Sequence, residues 1–255
     1  MKIFYFTATG NSLAIAKKFG GELYSISKVL KGDQFKFEDE KIGLIFPCYN
    51  LSPPRIVREF IEKVTLESPY IFVIMTYGNM ILDGINAFVK FAKKNNIHIQ
   101  YGEALLMIDN YLPGFNIEKQ NKIDKHIEEN LQIIIDDISK NKSYIPNINF
   151  VKSTLTVALQ GIFNPNSNSA QDKKFLIGDN CNACGTCAKV CPRDNITINK
   201  NIDKPKPIYG GNCEFCLTCI NLCPRKAIRL KLERNSNARF MNENVTLKDI
   251  IDAND

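Results

Sequence analysis

The chain has 255 residues, of which 44% are hydrophobic and 24% are charged, with a formal net charge of +6. This apolar content excludes a disordered chain and is enough for one large domain or two modest ones. No apolar run approaches the ~18 residues of a membrane span, and no secretory signal follows the first residues, so we expect a soluble protein of the cytoplasm.

The first 145 residues alternate short apolar runs with longer amphipathic ones. Three short runs predict buried strands: Ile3–Phe6, Ile42–Phe46 and Ile71–Met75. A longer apolar stretch, Ile97–Ile108, predicts a fifth strand interrupted near Gly102, and Glu22–Ser25 is the weaker candidate for the remaining strand. The longer runs predict helices: Ser12–Phe19, Pro54–Val64, Ile81–Lys94 and Ile117–Ile138. This alternation is typical of an α/β fold with a doubly wound parallel sheet of five strands.

The loop after the first predicted strand has the composition of an anion site. It consists of Thr7, Ala8, Thr9, Gly10, Asn11 and Ser12. Hydroxyl and amide groups at the start of a helix attract anions. The loop has neither the lysine of a triphosphate-binding loop nor the glycine spacing of a dinucleotide site, so it suits a phosphate monoester. The same residues are ordinary helix caps, and the loop alone leaves both interpretations open.

Two later strands end in further candidate ligand loops. The first contains Pro47, Cys48, Tyr49, Asn50 and Leu51, and the second contains Thr76, Tyr77, Gly78 and Asn79. In open α/β sheets, ligands bind at the carboxyl ends of the strands. Tyr49 and Tyr77 are therefore candidates to flank an aromatic ligand, with half-buried loop residues as the alternative. Tyr111 is a weaker candidate, and the Cys48 side chain is more typical of a small apolar filler.

The composition changes after residue 145. Prolines and a polar run, Asn164–Ser169, predict a linker over 146–174, with a short helix at Ser153–Phe163. A cysteine-dense domain is predicted over 175–234, after a first domain of residues 1–145. The polar tail, 235–255, contains the beginning of a capped helix at Thr246–Asp249.

An internal repeat holds eight of the nine cysteines. Residues 181–198 and 213–230 align without gaps, and each copy reads C-x2-C-x2-C-x3-C-P. Three cysteines on one turn can reach three corners of an iron–sulfur cube, whereas the fourth is directed to the other cluster. The predicted ligand sets are therefore crossed. Cys181, Cys184, Cys187 and Cys223 hold one [4Fe–4S] cluster, and Cys213, Cys216, Cys219 and Cys191 hold the second.

The cysteine pattern has two alternatives to redox clusters. Zinc takes four ligands, usually as two separated pairs, and fits eight cysteines in two such quartets poorly. Clusters that serve only as structural staples are the other alternative. Disulfides are not expected, because cytosolic thiols stay reduced.

The basic excess lies in residues 145–255, with 15 basic against 10 acidic side chains. It reads as counter-charge for thiolates, and no basic run with interleaved aromatics predicts nucleic-acid binding.

Together the two halves resemble the flavodoxin–ferredoxin fusion family, in which a flavodoxin-like domain precedes a bacterial two-cluster ferredoxin. The T-x-T-G-N-S loop resembles the FMN phosphate loop of flavodoxins, and the cysteine repeat resembles a small α+β ferredoxin domain. The resemblance implies FMN and two [4Fe–4S] clusters as cofactors, and redox proteins as electron donor and acceptor. One departure is charge, because flavodoxins are usually acidic whereas residues 1–144 carry 18 basic and 17 acidic side chains.

The preferred hypothesis is an electron-transfer protein that passes electrons between FMN and the clusters and links low-potential redox partners. A second hypothesis is an FMN-dependent reductase of a small acceptor such as a quinone or a nitro compound. A third is a redox or iron sensor whose tail binds a partner. No residue pattern identifies an acid, a base or a nucleophile, so the sequence leaves open whether the protein is an enzyme.

Overall fold

The structure is a computed structural model that describes residues 1–148, 150–163, 174–199 and 205–254. In chain order the elements are β1 (Lys2–Tyr5), α1 (Asn11–Lys17), β2 (Glu22–Ser25), α2 (Ile26–Lys31), β3 (Lys36–Glu38), β4 (Lys41–Pro47), α3 (Arg55–Lys63), β5 (Thr65–Glu67), β6 (Tyr70–Tyr77), α4 (Gly84–Lys94), β7 (Tyr101–Leu106), α5 (Ile117–Gln120), α6 (Ile127–Ser139), α7 (Phe150–Phe163), β8 (Phe175–Ile177), α8 (Thr186–Lys189), β9 (Ile196–Asn199), β10 (Lys206–Tyr209), α9 (Thr218–Asn221), β11 (Ile228–Leu230) and α10 (Leu247–Asn254). The polar run at Asn164–Ser169 lies outside the described residues.

The chain divides into two compact units. The first contains Met1–Thr7, Asn11–Ile108 and Asp124–Asn166, and the second contains Ala8–Gly10, Asp109–Ile123 and Ser167–Asp255. The domain boundaries expected from composition stay predictions. None of the described helices combines the length and the apolar character needed to cross a membrane.

The first unit is built on a five-stranded sheet in the order β2-β1-β4-β6-β7. All four strand pairings are parallel, and Phe4 of β1 is opposite Leu44 of β4, which in turn is opposite Val73 of β6. Numbered within the sheet alone, this is the order 2-1-3-4-5 of the flavodoxin-like doubly wound fold. The predicted fold class is confirmed for this unit.

The strands are apolar on both faces because helices cover both faces of the sheet. Phe4, Phe46 and Phe72 have no exposed surface. Gly43 of β4 makes room for the Phe72 ring, since a Cβ at this position would lie 2.4 Å from its Cζ. The packing of β4 against β6 therefore requires glycine at position 43.

Two details of the predicted elements are wrong. The single helix expected over Ile117–Ile138 is interrupted, because His126 has a left-handed φ of 50° and its amide donates to the Asp124 carboxylate at 2.8 Å. The last strand of the sheet is continuous through Gly102, which is paired with Val73. It begins later than expected because Ile97 closes the preceding helix, donating its amide to the Ala92 carbonyl at 3.0 Å.

The second unit contains two small antiparallel sheets, β8 with β11 and β9 with β10. The sequence repeat is also a structural repeat, since β8–α8–β9 and β10–α9–β11 have the same element order. Each strand pairs with a strand of the other copy, so the two copies are interleaved. This small α+β arrangement, with the parallel sheet of the first unit, confirms the predicted fold class.

The tail ends in α10, at the place of the predicted capped helix. The Thr246 hydroxyl accepts the Asp249 amide at 3.1 Å, and the Asp249 carboxylate accepts the Thr246 amide at 2.7 Å. This reciprocal pair is a capping box.

Candidate functional site

The first predicted cysteine quartet surrounds one cavity. Cys181, Cys184, Cys187 and Cys223 all line it. Most of the other residues that line the cavity are small or apolar. Three of these cysteines come from the first copy of the repeat and one from the second, so the structure brings together the crossed set.

Electrostatic coupling identifies the same group. Burial raises the pKa of Cys187 to about 11, the Ala188 amide lowers it, and charge on Cys223, Cys184 and Cys181 raises it further. These sulfurs therefore lie close enough to repel one another when ionised. A positively charged centre among them would reverse this cost, as metals do for thiol ligands.

The second quartet has the same crossed composition. Burial raises the pKa of Cys219 well above its usual range, and charge on Cys216, Cys213 and Cys191 raises it further. Burial also raises the pKa of Cys216 to about 12. Across the described residues, no three His, Cys, Asp or Glu side chains form a group suited to one metal ion.

Hydrogen bonds to the sulfurs follow the repeat. The Asn195 amide donates to the Cys191 sulfur at 3.4 Å, and the Ala227 amide donates to the Cys223 sulfur at 3.2 Å. Such bonds orient metal ligands and tune the metal.

Two hydroxyls complete this repeated pattern. Thr186 lies 3.4 Å from the Cys184 sulfur, and Thr218 lies 3.1 Å from the Cys216 sulfur. Both threonines are identities of the repeat, so the sequence carried a signal for them that spacing arguments on cysteine alone overlooked.

The second quartet has two further hydrogen bonds that sequence reasoning missed. The Tyr209 hydroxyl donates to the Cys219 sulfur at 3.8 Å, and the Phe215 amide donates to Cys213 at 3.3 Å. Tyr209 lies on β10, outside the repeated eighteen residues. Burial, and then charge on Cys219, raises its pKa far above the usual range, so it is a permanent proton donor.

In the first unit, the loops after β1, β4 and β6 reach the same edge of the sheet. The Ser12 and Thr76 hydroxyls are buried and lie 2.9 Å apart. The Cys48 amide donates to the Thr76 carbonyl at 2.8 Å, and the Tyr49 ring contacts the edge of Phe6 at a centroid distance of 6.5 Å. The structure thus brings together one predicted residue from each of three loops.

The turn after β4 is strained. Tyr49 and Ser52 exchange both backbone hydrogen bonds, at 2.8 and 3.0 Å, across Asn50 and Leu51, whose φ angles are 49° and 63°. Left-handed residues other than glycine cost about 1–2 kcal/mol each, and such positions cluster at ligand sites. Pro47 ends the strand before this turn. Ser52 is buried and was not among the predicted residues.

The other predicted residues of these loops differ in burial. Burial raises the pKa of Cys48 to about 12, although the Leu51 and Ser52 amides lower it, so its thiol is neutral and acts as a small apolar side chain. Tyr77 is half-buried, and its pKa is raised by burial and then by the Glu103 charge. Gly78 is half-buried and Asn79 is exposed.

The segment Ala8–Gly10 belongs to the second unit. Ala8 and Thr9 are buried, and within the described residues no carbonyl accepts a hydrogen bond from either backbone amide. Buried donors of this kind fit an anionic oxygen. The Thr9 hydroxyl accepts a hydrogen bond from the Asn110 amide group at 2.5 Å. The predicted contact Tyr111, one residue later, is 45% exposed.

The C-terminal tail contacts this segment. The Asn242 amide donates to the Thr9 carbonyl at 2.8 Å. Gly10 has a φ of 104°, and a Cβ there would lie 2.2 Å from the Val245 methyl carbon. No motif in the sequence pointed to Asn242 or Val245, because the contact joins segments more than 230 residues apart.

Comparison with known families assigns the cysteine repeat. Residues 180–227 match the family described as the 4Fe-4S dicluster domain. No protein among the curated ones matches the chain.

Several solved structures are similar to part of the chain. A candidate flavoprotein of Bacteroides eggerthii DSM 20697 is 20% identical over 54% of this chain and 96% of its own, with a TM-score of 0.35. A second candidate flavoprotein, from Bacteroides uniformis ATCC 8492, is 19% identical over 47% of this chain and 94% of its own, with a TM-score of 0.33. Two-electron reduced Megasphaera elsdenii flavodoxin is 16% identical over 40% of this chain and 83% of its own, with a TM-score of 0.29. The fold assignment itself rests on the strand order described above.

Proposed function

Because the chain joins a flavodoxin-like domain to a 4Fe-4S dicluster segment, we propose that it is an electron-transfer protein that uses FMN and two [4Fe–4S] clusters. The observation that carries this proposal is the cavity lined by Cys181, Cys184 and Cys187 of one copy of the repeat and Cys223 of the other. Crossed ligation is the arrangement of two-cluster ferredoxins.

The proposed cluster ligands are Cys181, Cys184, Cys187 and Cys223 for one cluster, and Cys213, Cys216, Cys219 and Cys191 for the other. A bound four-iron cluster supplies low-potential one-electron chemistry. The chain contributes thiolates, apolar side chains that exclude water, and amide and hydroxyl donors to the sulfurs, which set the potential.

The proposed FMN site uses the strand-end loops. The residues are Thr7, Ala8, Thr9, Gly10, Asn11 and Ser12 for the phosphate, and Pro47, Cys48, Tyr49, Asn50, Leu51, Thr76, Tyr77, Gly78, Asn79 and Tyr111 for the remainder. The buried amides of Ala8 and Thr9 support the phosphate assignment. A bound FMN supplies both one- and two-electron chemistry. Tyr49 and Tyr77 would orient its ring, and the strained turn would fix Tyr49 in place.

The chemistry fits redox proteins as the physiological donor and acceptor. None of the nine cysteines, all of which lie among the described residues, is paired in a disulfide, and we propose that the protein works in the reducing cytoplasm.

Anaerobic stepwise reduction of the isolated protein tests the proposal. About four electrons per chain should be taken up, two by the flavin and one by each cluster. The flavin absorption and the cluster signal should both respond, and an oxidised low-potential redox protein should recover the electrons. Uptake of only two electrons, with no cluster signal, would contradict the proposal.

A further inference from the structure

The two quartets come from one repeat, yet their surroundings differ in exposure. In the first, Cys184 is exposed, and so is Pro224, which follows its fourth cysteine. In the second, the equivalent Cys216 is half-buried and the equivalent Pro192 is buried. The first quartet is therefore the one that a protein partner can approach closely.

The more exposed first quartet also has the more positive surroundings. Four positions around the first quartet hold Asn182, Lys189, Arg225 and Lys226, a charge of +3, and all four are exposed. The equivalent positions around the second quartet hold Glu214, Asn221, Arg193 and Asp194, a charge of −1. The repeat has thus diverged toward cations at one quartet only.

The arginine shared by both copies shows this divergence most clearly. Arg193 forms an ion pair with Glu214 at 2.7 Å, and both side chains are less than 10% exposed. Arg225 lines the cavity of the first quartet, where Asn182 replaces the glutamate. Within the described part of the chain, no carboxylate forms an ion pair with Arg225. Asp179, which precedes the first copy of the repeat, pairs with Lys206 at 3.3 Å.

Lys226 adds a second outward cation. Its ammonium group donates to the Asn237 carbonyl, which does not neutralise its charge. Lys189 ends α8 and is exposed, whereas its counterpart Asn221 is buried and donates to the Leu217 carbonyl. An exposed group of cations without matched acids raises the encounter rate with acidic proteins.

We infer that the basic face around Cys184, formed by Lys189, Arg225 and Lys226, is the docking site for an acidic redox protein. This inference rests on the proposed function. One electron crosses this face in each encounter, so that the partner is oxidised and the chain is reduced by one electron, or the reverse. The second quartet is more buried and has a charge of −1 at the equivalent four positions, and it exchanges electrons within the chain.

Stopped-flow mixing of the reduced holoprotein with an oxidised acidic flavodoxin tests this inference. In Lys226→Asp the new residue is the one found at the equivalent position 194, where its φ is 49° against 48° at position 226, so the backbone accepts it. At low ionic strength the second-order rate constant should fall about tenfold, and the difference should disappear at high salt. Arg225→Gln should act in the same direction with a smaller effect, and titration calorimetry should show weaker binding of the flavodoxin to both variants.

Two variants serve as controls with matched charge. Lys90→Glu, at an exposed position of α4, changes the net charge as much as Lys226→Asp and should leave the rate within about twofold. Asp194→Lys adds cations at the second quartet and should also have little effect. Equal slowing by Lys90→Glu and Lys226→Asp would overturn the inference. A rate constant that changes in Asp194→Lys but not in Lys226→Asp would also overturn it.

The outcomes separate this inference from the proposed function. A holoprotein that takes up about four electrons but reacts with the flavodoxin equally fast in all variants would overturn the docking site alone. A protein isolated without iron would overturn both.

Discussion

The two units of this chain differ in the size of their sheets and in their cysteine content. The first has a five-stranded sheet that is apolar on both faces, and the rings of Phe4, Phe46 and Phe72 are fully buried within it. The second has strands of three or four residues, and its two helical turns present cysteines to shared spaces. We therefore expect apolar burial to maintain the first unit, and whatever binds the sulfurs to maintain much of the second.

Removal of iron should produce the largest contrast between the units. Because the free energy of metal binding is part of the folding free energy, anaerobic chelation should abolish the amide protection of α8 and α9. The strands β1, β4 and β6 should keep theirs. Hydrogen exchange with mass spectrometry measures both in one sample. Unchanged protection of α8 and α9 would show that the second unit maintains itself without a ligand.

Truncation of the first core should destabilise that unit specifically. Phe72→Ala removes a fully buried ring next to Gly43 and should lower the free energy of unfolding by about 3–5 kcal/mol. Chemical denaturation measures the loss, while the iron content should not change. Ile133→Ala removes a side chain that is 61% exposed and should stay within about 0.5 kcal/mol. A loss equal to that of the control would mean that this core is not the main source of stability.

Alanine substitutions at two glycines distinguish the cost of backbone strain from the cost of a side-chain clash. Gly20→Ala, at φ 67° with nothing within 4 Å of its Cβ, should cost about 1 kcal/mol. Gly10→Ala places a Cβ against Val245 as well, so it should cost more and should lower the flavin content. Flavin and iron assays on both variants, with Val245→Ala added to Gly10→Ala as a rescue, measure the difference. An equal flavin content in the Gly10 and Gly20 variants would exclude a role of Gly10 in flavin binding.

The smallest effect concerns the difference between the two quartets. Tyr209→Phe removes the hydroxyl that donates to Cys219 and should make the potential of one cluster more negative, because that donor stabilises the reduced, more negative state. Potentiometric titration followed by electron paramagnetic resonance should show one shifted and one unshifted centre. Tyr144→Phe, in the first unit, is the control. A parallel shift of both centres would argue against this local hydrogen bond.

The sheet was predictable because its signals are local. Ile3–Phe6, Ile42–Phe46 and Ile71–Met75 are short apolar runs between helical patterns, and burial on both faces preserves that pattern. The break within Ile117–Ile138 was not predictable from periodicity, because it depends on the turn at Asp124 and His126. The pair β3 and β5 was missed because each strand has only three residues.

The same distinction holds for the candidate site. The grouping of the cysteines was predicted because their spacing along the chain limits which sulfurs can meet. Tyr209 and the Arg193–Glu214 pair could not be predicted, because they depend on how the two copies of the repeat interleave. Asn242 reaches Thr9 only because the tail folds back within the second unit. The contacts missed are thus those between distant segments.

Quantification of iron, acid-labile sulfide and flavin in one anaerobically isolated sample tests the central claim most directly. We predict about eight irons, about eight sulfides and about one FMN per chain. A colourless protein, or one that contains zinc in place of iron, would contradict the claim that one polypeptide holds a flavin and two iron–sulfur clusters.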